Sequence, residues 1–435
     1  MATSASRLLG LPCRPRFRLV MPNAGPRAYM ATSSRPQPSC RRVPPSRLHN
    51  NSAPARCLSS SSSPPGHKYV YNVAASYIAK GLPYDPSTHI FHFNPYNRVQ
   101  PPKPGRAKSA RPESGQDAFF VSRLGSQPGS IALGVADGVG GWMDSGVDPA
   151  DFSHAFCDYM AAVAHGYRAP APAAAGTRKV ELTARELMKN GYEAVCHDPA
   201  IEAGGSTAVV GLLGEDGTLE VANLGDSGYI VLRLNGVHAH SEPQTHAFNT
   251  PFQLSVVPPK MLMRAAKFGG AQLMDQPRDA EVTRVALRHG DVVVFASDGL
   301  WDNLFNQDIL RIVSRTMAKV GAWASTDAGV QVVSDLSPYT HPRDLPADEE
   351  GAAQVGKARP SPSSIITLQS LIAMEIVGAA KAASLNGKLD GPFAKEVKKH
   401  FPDERWHGGK EDDICAIVVL VAEEPAQPGP VKAKL

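Results

Sequence analysis

The sequence predicts an α+β fold in which two packed, mainly antiparallel sheets carry helices on both outer faces. Three observations lead there. Short segments alternate apolar with small or polar residues at the period of 2 that marks strands. Helical periodicity comes in two pairs, one ahead of residue 200 and one beyond residue 300. Strands and helices occur in runs rather than in strict βαβα alternation, which argues against a single parallel sheet. With 435 residues, 42% of them apolar, the chain can bury a sizeable core.

Taken in order, Tyr69–Asn94 reads as an extended entry segment with scattered Tyr and Phe, and Gln100–Ser114 as a Pro-, Lys- and Arg-rich loop. Asp117–Val121 is the first clear strand, pairing with Ile131–Ala136 across a turn at Gly125–Gly129. Asp148 is a helix N-cap with Pro149 at the first helical position, and Phe152, Phe156, Met160 and Val163 follow at helical spacing. Ala169–Gly176 is a surface loop and Val180–His197 a second amphipathic helix. Thr207–Leu213, Thr218–Leu224 and Tyr229–Leu234 are short strands, and Asn235-Gly236 is a hairpin turn leading to Val237–His240. Asp291–Ala296 is a strand, followed by a helix capped by Asn306 with Ile309, Ile312, Val313 and Met317 on one face. Trp323–Arg359 lacks periodicity and reads as an inserted surface loop. Ser361-Pro362 opens a long helix through Ile376, and the last strand is Ile414–Val421.

The net charge of +4 averages two unlike regions. Residues 1–66 hold ten Arg and no Lys, Asp or Glu, whereas residues 67–435 carry a net −6. An acidic globular part gives no support for nucleic-acid binding. The acid-free, Arg- and Ser-rich leader has the composition of a mitochondrial transit peptide. Residues 1–58 are assigned to it, with cleavage near Leu58 of Arg56-Cys57-Leu58-Ser59 and the matrix as destination. Residues 59–114 then form a linker and entry segment, 115–424 one domain containing the inserted loop 323–359, and 425–435 a tail. Six Cys without a C-x-x-C pair suggest neither a disulfide framework nor a zinc site. The longest apolar run, Ile414–Ala422, is far short of a membrane span. His238, His240 and His246 invite a zinc reading, but no neighbouring Cys or carboxylate completes a site.

The chemistry concentrates in Ile131–Trp142, IALGVADGVGGW. Asp137 lies in phase with Ile131, Leu133 and Val135, so it ends a strand on its packed face. An unpaired carboxylate there costs several kcal/mol, so it needs a cation or donors. The pattern recurs: Asp298 is in phase with Val292 and Val294, and Asp412 precedes the alternating run 414–420. Three strand-end carboxylates from distant parts of the chain suggest a metal site. Hard cations such as Mg²⁺ prefer carboxylates, carbonyls and waters.

V-A-D-G-V-G-G-W (135–142), G-G-S-T-A (204–208), N-L-G-D-S (223–227), F-A-S-D-G-L-W-D-N (295–303) and G-K-E-D-D-I (409–414) together resemble the successive motifs of the metal-dependent type 2C protein serine/threonine phosphatases. The D-G-V-G-G-W form and Asn249–Leu254 resemble that family's mitochondrial branch. The resemblance implies an αββα sandwich holding two Mn²⁺ or Mg²⁺ ions and a weaker third. It also implies phosphorylated proteins as substrates and direct attack by a metal-activated water, with no phosphoenzyme. By the same resemblance Asp137 bridges the two metals, the Gly138 carbonyl binds one, and Asp298 and Asp412 complete the other. Asp117 holds a water, and Asp226 serves the third ion. A one-residue shift to Asp413 is the alternative to Asp412, which the family spacing favours.

Three positions depart from the family. Gln116 replaces a frequent Glu, removing one charge and predicting weaker binding of one ion. Val139 stands where many members have a His. Pro112 falls where the phosphate-binding Arg usually lies, leaving Arg111 and Arg123 as the nearest alternatives.

Overall fold

The computed structural model of the chain describes residues 68–93, 107–125, 127–168, 182–234, 236–268, 274–341 and 366–424. These begin with β1 (Lys68–Ile78), β2 (Ile90–His92), β3 (Asp117–Leu124) and β4 (Gln127–Asp137). Helices α1 (Pro149–Gly166) and α2 (Ala184–His197) follow. Next come β5 (Gly204–Ser206), β6 (Ala208–Leu213), β7 (Thr218–Leu224), β8 (Gly228–Arg233), β9 (Gly236–His240), β10 (Thr245–Ala247), β11 (Thr250–Pro251) and β12 (Leu254–Val256). After α3 (Pro259–Phe268) come β13 (Glu281–Ala286) and β14 (Val292–Ala296). The C-terminal part contains α4 (Asp298–Trp301), α5 (Asn306–Val320), β15 (Trp323–Thr326), β16 (Gly329–Val332), α6 (Ser337–Thr340), α7 (Leu368–Ser384), α8 (Pro392–His400) and β17 (Ile414–Glu424).

Two sheets dominate, in the strand orders β2-β1-β17-β14-β8-β9 and β13-β7-β6-β4-β3. Every pairing within them is antiparallel. The strand alternation sorts side chains between two kinds of core. Leu133 and Val135 of β4 meet Val293 and Phe295 of β14 and Ile417 and Val419 of β17 between the sheets. Ala132 and Ala136, on the opposite face of β4, lie under Phe152, Phe156 and Met160 of α1 and Leu187 of α2. On the far side Val292, Val294 and Val418 lie under α5 and α7 through Ile309, Val313, Ile372 and Ile376. The α+β sandwich with helices on both outer faces is therefore present.

Helix starts follow local chemistry. Asp148 Oδ1 accepts the Ala150 N–H at 3.1 Å, with Pro149 at the first position of α1, as expected. Thr183 and Glu186 form a capping box that starts α2 at Ala184 rather than Val180. Asn306 is the first residue of α5 and not its cap; the Asp308 carboxylate accepts the Phe305 N–H at 3.2 Å. α7 begins at Leu368 behind Thr367, whose side chain accepts from the Ser370 N–H.

Other expectations need correction. The entry segment is β1, an interior strand paired with both β2 and β17. Part of the expected loop 323–359 is the β15–β16 hairpin, and α3, α8 and β13 lie in stretches without a clear sequence pattern. The leader 1–58, residues 59–67, the loop 169–176, Asn235, residues 342–365 with Ser361-Pro362, and the tail 425–435 lie outside the described residues. Among the described residues no helix is long and apolar enough to cross a membrane.

Candidate metal centre

The site forms where strands from both sheets end together. Asp117 opens β3 and Asp137 closes β4, and the two are direct register partners across the ladder. Residues opposite one another in a ladder project to the same face, so the two carboxylates share one end of the sandwich. In the other sheet β14 ends at Ala296, paired with Ala416 of β17, and Asp298 follows as the first residue of α4. Asp412 stands two residues ahead of β17. The turn between β7 and β8 carries Gly225 at φ +103° and then Asp226. Asp117, Asp137, Gly138, Asp226, Asp298 and Asp412 all line one cavity of about 650 Å³.

Close backbone approach shapes the cavity at two glycines. A Cβ on Gly138 would stand 2.9 Å from the carbonyl oxygens of Gln116 and Pro149, and the Gly138 N–H donates to Gln116 O at 3.1 Å. Gly115, at φ +68°, lies so near Asp413 that a Cβ would fall 2.1 Å from Oδ1. Asp413 accepts the Lys80 and Gln116 N–H groups at 2.6 and 2.8 Å. Both oxygens of Asp413 are thus used to fix backbone. Asp412 instead directs Oδ2 to Lys410 Nζ at 3.2 Å and Oδ1 to Lys80 Nζ at 3.4 Å.

The electrostatics are those of crowded acids. Burial, and then the charges of Asp298, Asp117, Asp226 and Asp412, push Asp137 well above the usual carboxylate range. Burial and Asp413 do the same to Asp117, against a hydrogen bond that Ser297 Oγ donates to its Oδ2 at 2.6 Å. The other oxygen, Asp117 Oδ1, is buried without a hydrogen-bond partner. Asp226 is pushed up to about 8 by burial and by Asp298 and Asp302. Burial raises Asp302 to about 7, with Lys410 opposing and Asp298 adding to it. Asp298 differs. Burial would raise it, but Lys410 and hydrogen bonds from Lys410, Asp137 and Asp302 hold it below the usual range.

Lys410 Nζ lies 2.6 Å from both Asp298 Oδ2 and Asp302 Oδ2. Its backbone is pinned to Asn303, which accepts the Lys410 N–H at 3.0 Å and donates to Lys410 O at 2.8 Å. Two ammonium groups, of Lys410 and the more exposed Lys80, face the six carboxyl groups that line the cavity, an excess of acids over bases.

That excess, the all-oxygen donor set and the orphaned Asp117 Oδ1 fit hard divalent cations. Among the described residues no three His, Cys, Asp or Glu side chains converge tightly enough to cage an ion alone. Cations that keep several of their waters do not require such a cage.

Sequence reasoning brings into view Asp117, Asp137, Asp226, Asp298 and Asp412, all of which line the cavity, but it misses three neighbours, Lys80, Asp302 and Lys410. The signal for two of them is there, since Asp302 and Lys410 sit inside the motifs F-A-S-D-G-L-W-D-N and G-K-E-D-D-I. Arg111 and Arg123 do not reach the cavity. Arg111 Nη2 pairs with Asp151 at 2.9 Å, and Arg123 lies at the far end of β3, opposite Ile131. Gln116 lines the cavity, with Nε2 3.2 Å from Met143 Sδ, and Val139 lines it too. The strand histidines have other partners: His246 pairs with Asp275 at 2.9 Å and His238 accepts from Arg233 at 3.0 Å.

Comparison with known proteins adds a second line. A family model described as protein phosphatase 2C matches residues 104–333. The mitochondrial protein phosphatase 2C homolog 7 of Saccharomyces cerevisiae is 29% identical over 313 residues, covering 72% of this chain and 76% of its own. The protein phosphatase PTC7 homolog fig of Drosophila ananassae is 38% identical over 312 residues, covering 71% of this chain and 73% of its own. Among solved structures, the photosystem II phosphatase PBCP superposes with a TM-score of 0.49 at 22% identity, covering 82% of this chain and all of that one.

Proposed function

The chain belongs to the protein phosphatase 2C family and is a protein serine/threonine phosphatase, and from this premise we propose that it dephosphorylates mitochondrial proteins with two divalent cations held by the carboxylate cavity. The observation that carries this reading is the convergence of Asp117, Asp137, Asp226, Asp298 and Asp412 on one cavity with Lys410 as the deeply placed countercharge. In this reading Asp137 and the Gly138 carbonyl, Asp298 and Asp412 hold two Mn²⁺ or Mg²⁺ ions. Asp117 orients a water, and Asp226 serves a weaker third ion. Bound there, such ions neutralise the phosphate and activate a water as nucleophile.

The chain's own residues do the rest. Lys80, 56% exposed at the rim over Asp412, presents an ammonium to an incoming phosphate where the sequence offered only Arg111 and Arg123. Ser297 holds Asp117 in place and also accepts the Cys415 N–H at 3.0 Å, tying β3 to the ends of β14 and β17. Gln116 contributes an uncharged amide to the wall, which lowers the attraction for cations relative to a Glu.

Residues 1–58 are read as a transit peptide removed near Leu58, with the matrix as destination. The Arg-rich, acid-free composition supports this, as does the word mitochondrial in the name of the yeast relative. N-terminal sequencing of protein from the organelle tests it; a mature chain starting at Met1 or Ala2 overturns it.

The deciding experiment is phosphopeptide hydrolysis by residues 59–435, titrated with Mn²⁺ and Mg²⁺, with Asp298→Asn as control. Turnover that requires metal and vanishes in the variant is expected. A folded, metal-saturated protein without turnover would identify a binding protein that keeps the fold, with Gln116 and Val139 as the reason.

A further inference from the structure

A second cavity of about 690 Å³ opens beside the first and shares Asp226, Asn249 and Asp298 with it. Trp301 of α4 and Phe305 line it where α4 passes into α5. One wall is the segment from His240 to Asn249, and the other is α8 with Phe393 and Glu396. The two walls meet through Phe248, whose ring lies 5.5 Å from Phe393 and 5.3 Å from Phe401.

Nothing in the hydrolytic chemistry uses this space, and its charge is one-sided. Five carboxylates line it, and no Lys or Arg does. Asp226, Asp298 and Asp302 belong to the metal centre and its lysine. Glu242 and Glu396 do not. They stand on the two walls with side chains 79% and 52% exposed. Glu242 has His240 at 3.5 Å, and Glu396 has His400 at 3.5 Å and Lys399 at 3.2 Å, which leaves both with free accepting capacity. The aromatic rings already attract ammonium groups: Lys395 Nζ lies 4.2 Å over Phe305 and Lys410 Nζ 5.0 Å over Phe393.

We propose that this groove receives a Lys or Arg side chain of the phosphoprotein, so that the enzyme selects phosphoserine and phosphothreonine in basic sequence. The proposal rests on the first cavity being the phosphatase centre. Because the two cavities meet, the basic residue falls within about three positions of the phosphorylated one, given the reach of an extended chain. A guanidinium satisfies both features at once, stacking on Trp301 or Phe248, since Lys395 and Lys410 already lie over Phe305 and Phe393, while it donates to Glu242 or Glu396. An acidic flanking residue meets like charge, and an apolar one gains no ion pair with the glutamates.

The test uses the full-length protein and two phosphoserine peptides that differ only in Arg against Gln at flanking positions. With Mn²⁺ the Arg peptide is expected to show a KM about five- to tenfold lower at similar kcat, an advantage that shrinks as salt is raised. In Glu242→Gln/Glu396→Gln the advantage should fall below about twofold, with p-nitrophenyl phosphate turnover unchanged. Equal KM values for the two peptides in the parent protein, or a preference that survives in the variant, would overturn the groove. Loss of p-nitrophenyl phosphate turnover in the parent protein would instead count against the phosphatase centre. Fluorescence anisotropy with the same peptides then decides the groove alone: tighter binding of the Arg peptide that the variant abolishes supports it, and equal binding overturns it.

Discussion

The ammonium of Lys410 rests 2.6 Å from Asp298 Oδ2, joining the start of α4 to the segment that leads into β17. Asp302 and Asp412 take up the remaining donors at 2.6 and 3.2 Å. The chain thus carries its own largely buried cation among the acids of the cavity.

Lys410→Met should destabilise the metal-free protein by about 3 kcal/mol, because it strips the countercharge from a largely buried carboxylate cluster. The same change should tighten Mn²⁺ binding severalfold, since one competing positive charge is gone. Melting in EDTA and calorimetric Mn²⁺ titration read the two effects. A variant that melts with the parent would show that Lys410 is not the countercharge.

Asp137→Asn and Asp298→Asn should both lower turnover by at least about 100-fold, yet move metal-free stability in opposite directions. Asp137 is held above its ordinary range by burial and by Asp298, so the neutral amide relieves repulsion and stabilises by on the order of 1 kcal/mol. Asp298 is held below its range by Lys410, so its amide costs stability. Paired thermal melts in EDTA settle the signs.

Stability of the metal-free protein should fall as pH rises from about 4 to about 8. Asp302 and Asp226 hold protons up to about 7 and about 8 in the fold, whereas an unfolded Asp gives its proton up near 3.9. Across that window the native state binds more protons than the unfolded chain, so ΔG of unfolding decreases with pH. Divalent cations displace those protons, and Mn²⁺ added to a weakly buffered solution at pH 6 should acidify it. A flat melting profile from pH 5 to 8 in EDTA would contradict this.

Gln116→Glu adds a carboxylate to the cavity wall and should lower the Mn²⁺ concentration for half-maximal activity severalfold. Activity measured across a metal titration checks it; an unchanged midpoint would place the Gln116 side chain outside the metal environment.

Lys80→Ala should raise KM for phosphopeptides about tenfold with kcat changed less than about threefold, as expected of a rim cation that binds phosphate. Lys80→Arg should restore most of the loss. Steady-state kinetics on the three proteins separate this from a structural effect, which Arg would not rescue.

Much of the fold and the site is legible in the sequence, for a definable reason. β4 and β14 bury one face against the other sheet and the other under helices. Alternation along β4 places Asp137 on the inter-sheet side with Leu133 and Val135, whereas Val292 and Val294, in phase with Asp298, lie under the helices, and Asp298 reaches the cavity as the first residue of α4. The same logic fails for β1. Tyr71, Val73 and Ala75 face the inter-sheet core and Ile78 packs under the helices, but the small run Ala74-Ala75-Ser76 breaks the contrast between bulky and small residues that marks β4. Missing β1 means missing Lys80 just past its end. Helix α8 escapes notice because it spans only nine residues and has three basic residues in its last turn, too short for periodicity to register. Distinguishing Asp412 from Asp413 needs tertiary contacts. Only the fold shows that Asp413 is consumed by the Lys80 and Gln116 amides.

The larger sheet has a consequence for the order of events during synthesis. β17 is inserted between β1 and β14, with Lys68 paired to Glu424 and Ile78 to Ile414. A ribosome releases β1 long before β17, so the middle of that sheet stays open until β17 follows. Asp412 and Lys410 travel with β17, and Asp413, which locks the Lys80 and Gln116 backbones, arrives with them. A chain without β17 therefore lacks the Asp413 lock and the Lys410 and Asp412 side chains together, so the middle of the sheet and that wall of the cavity are completed in one step.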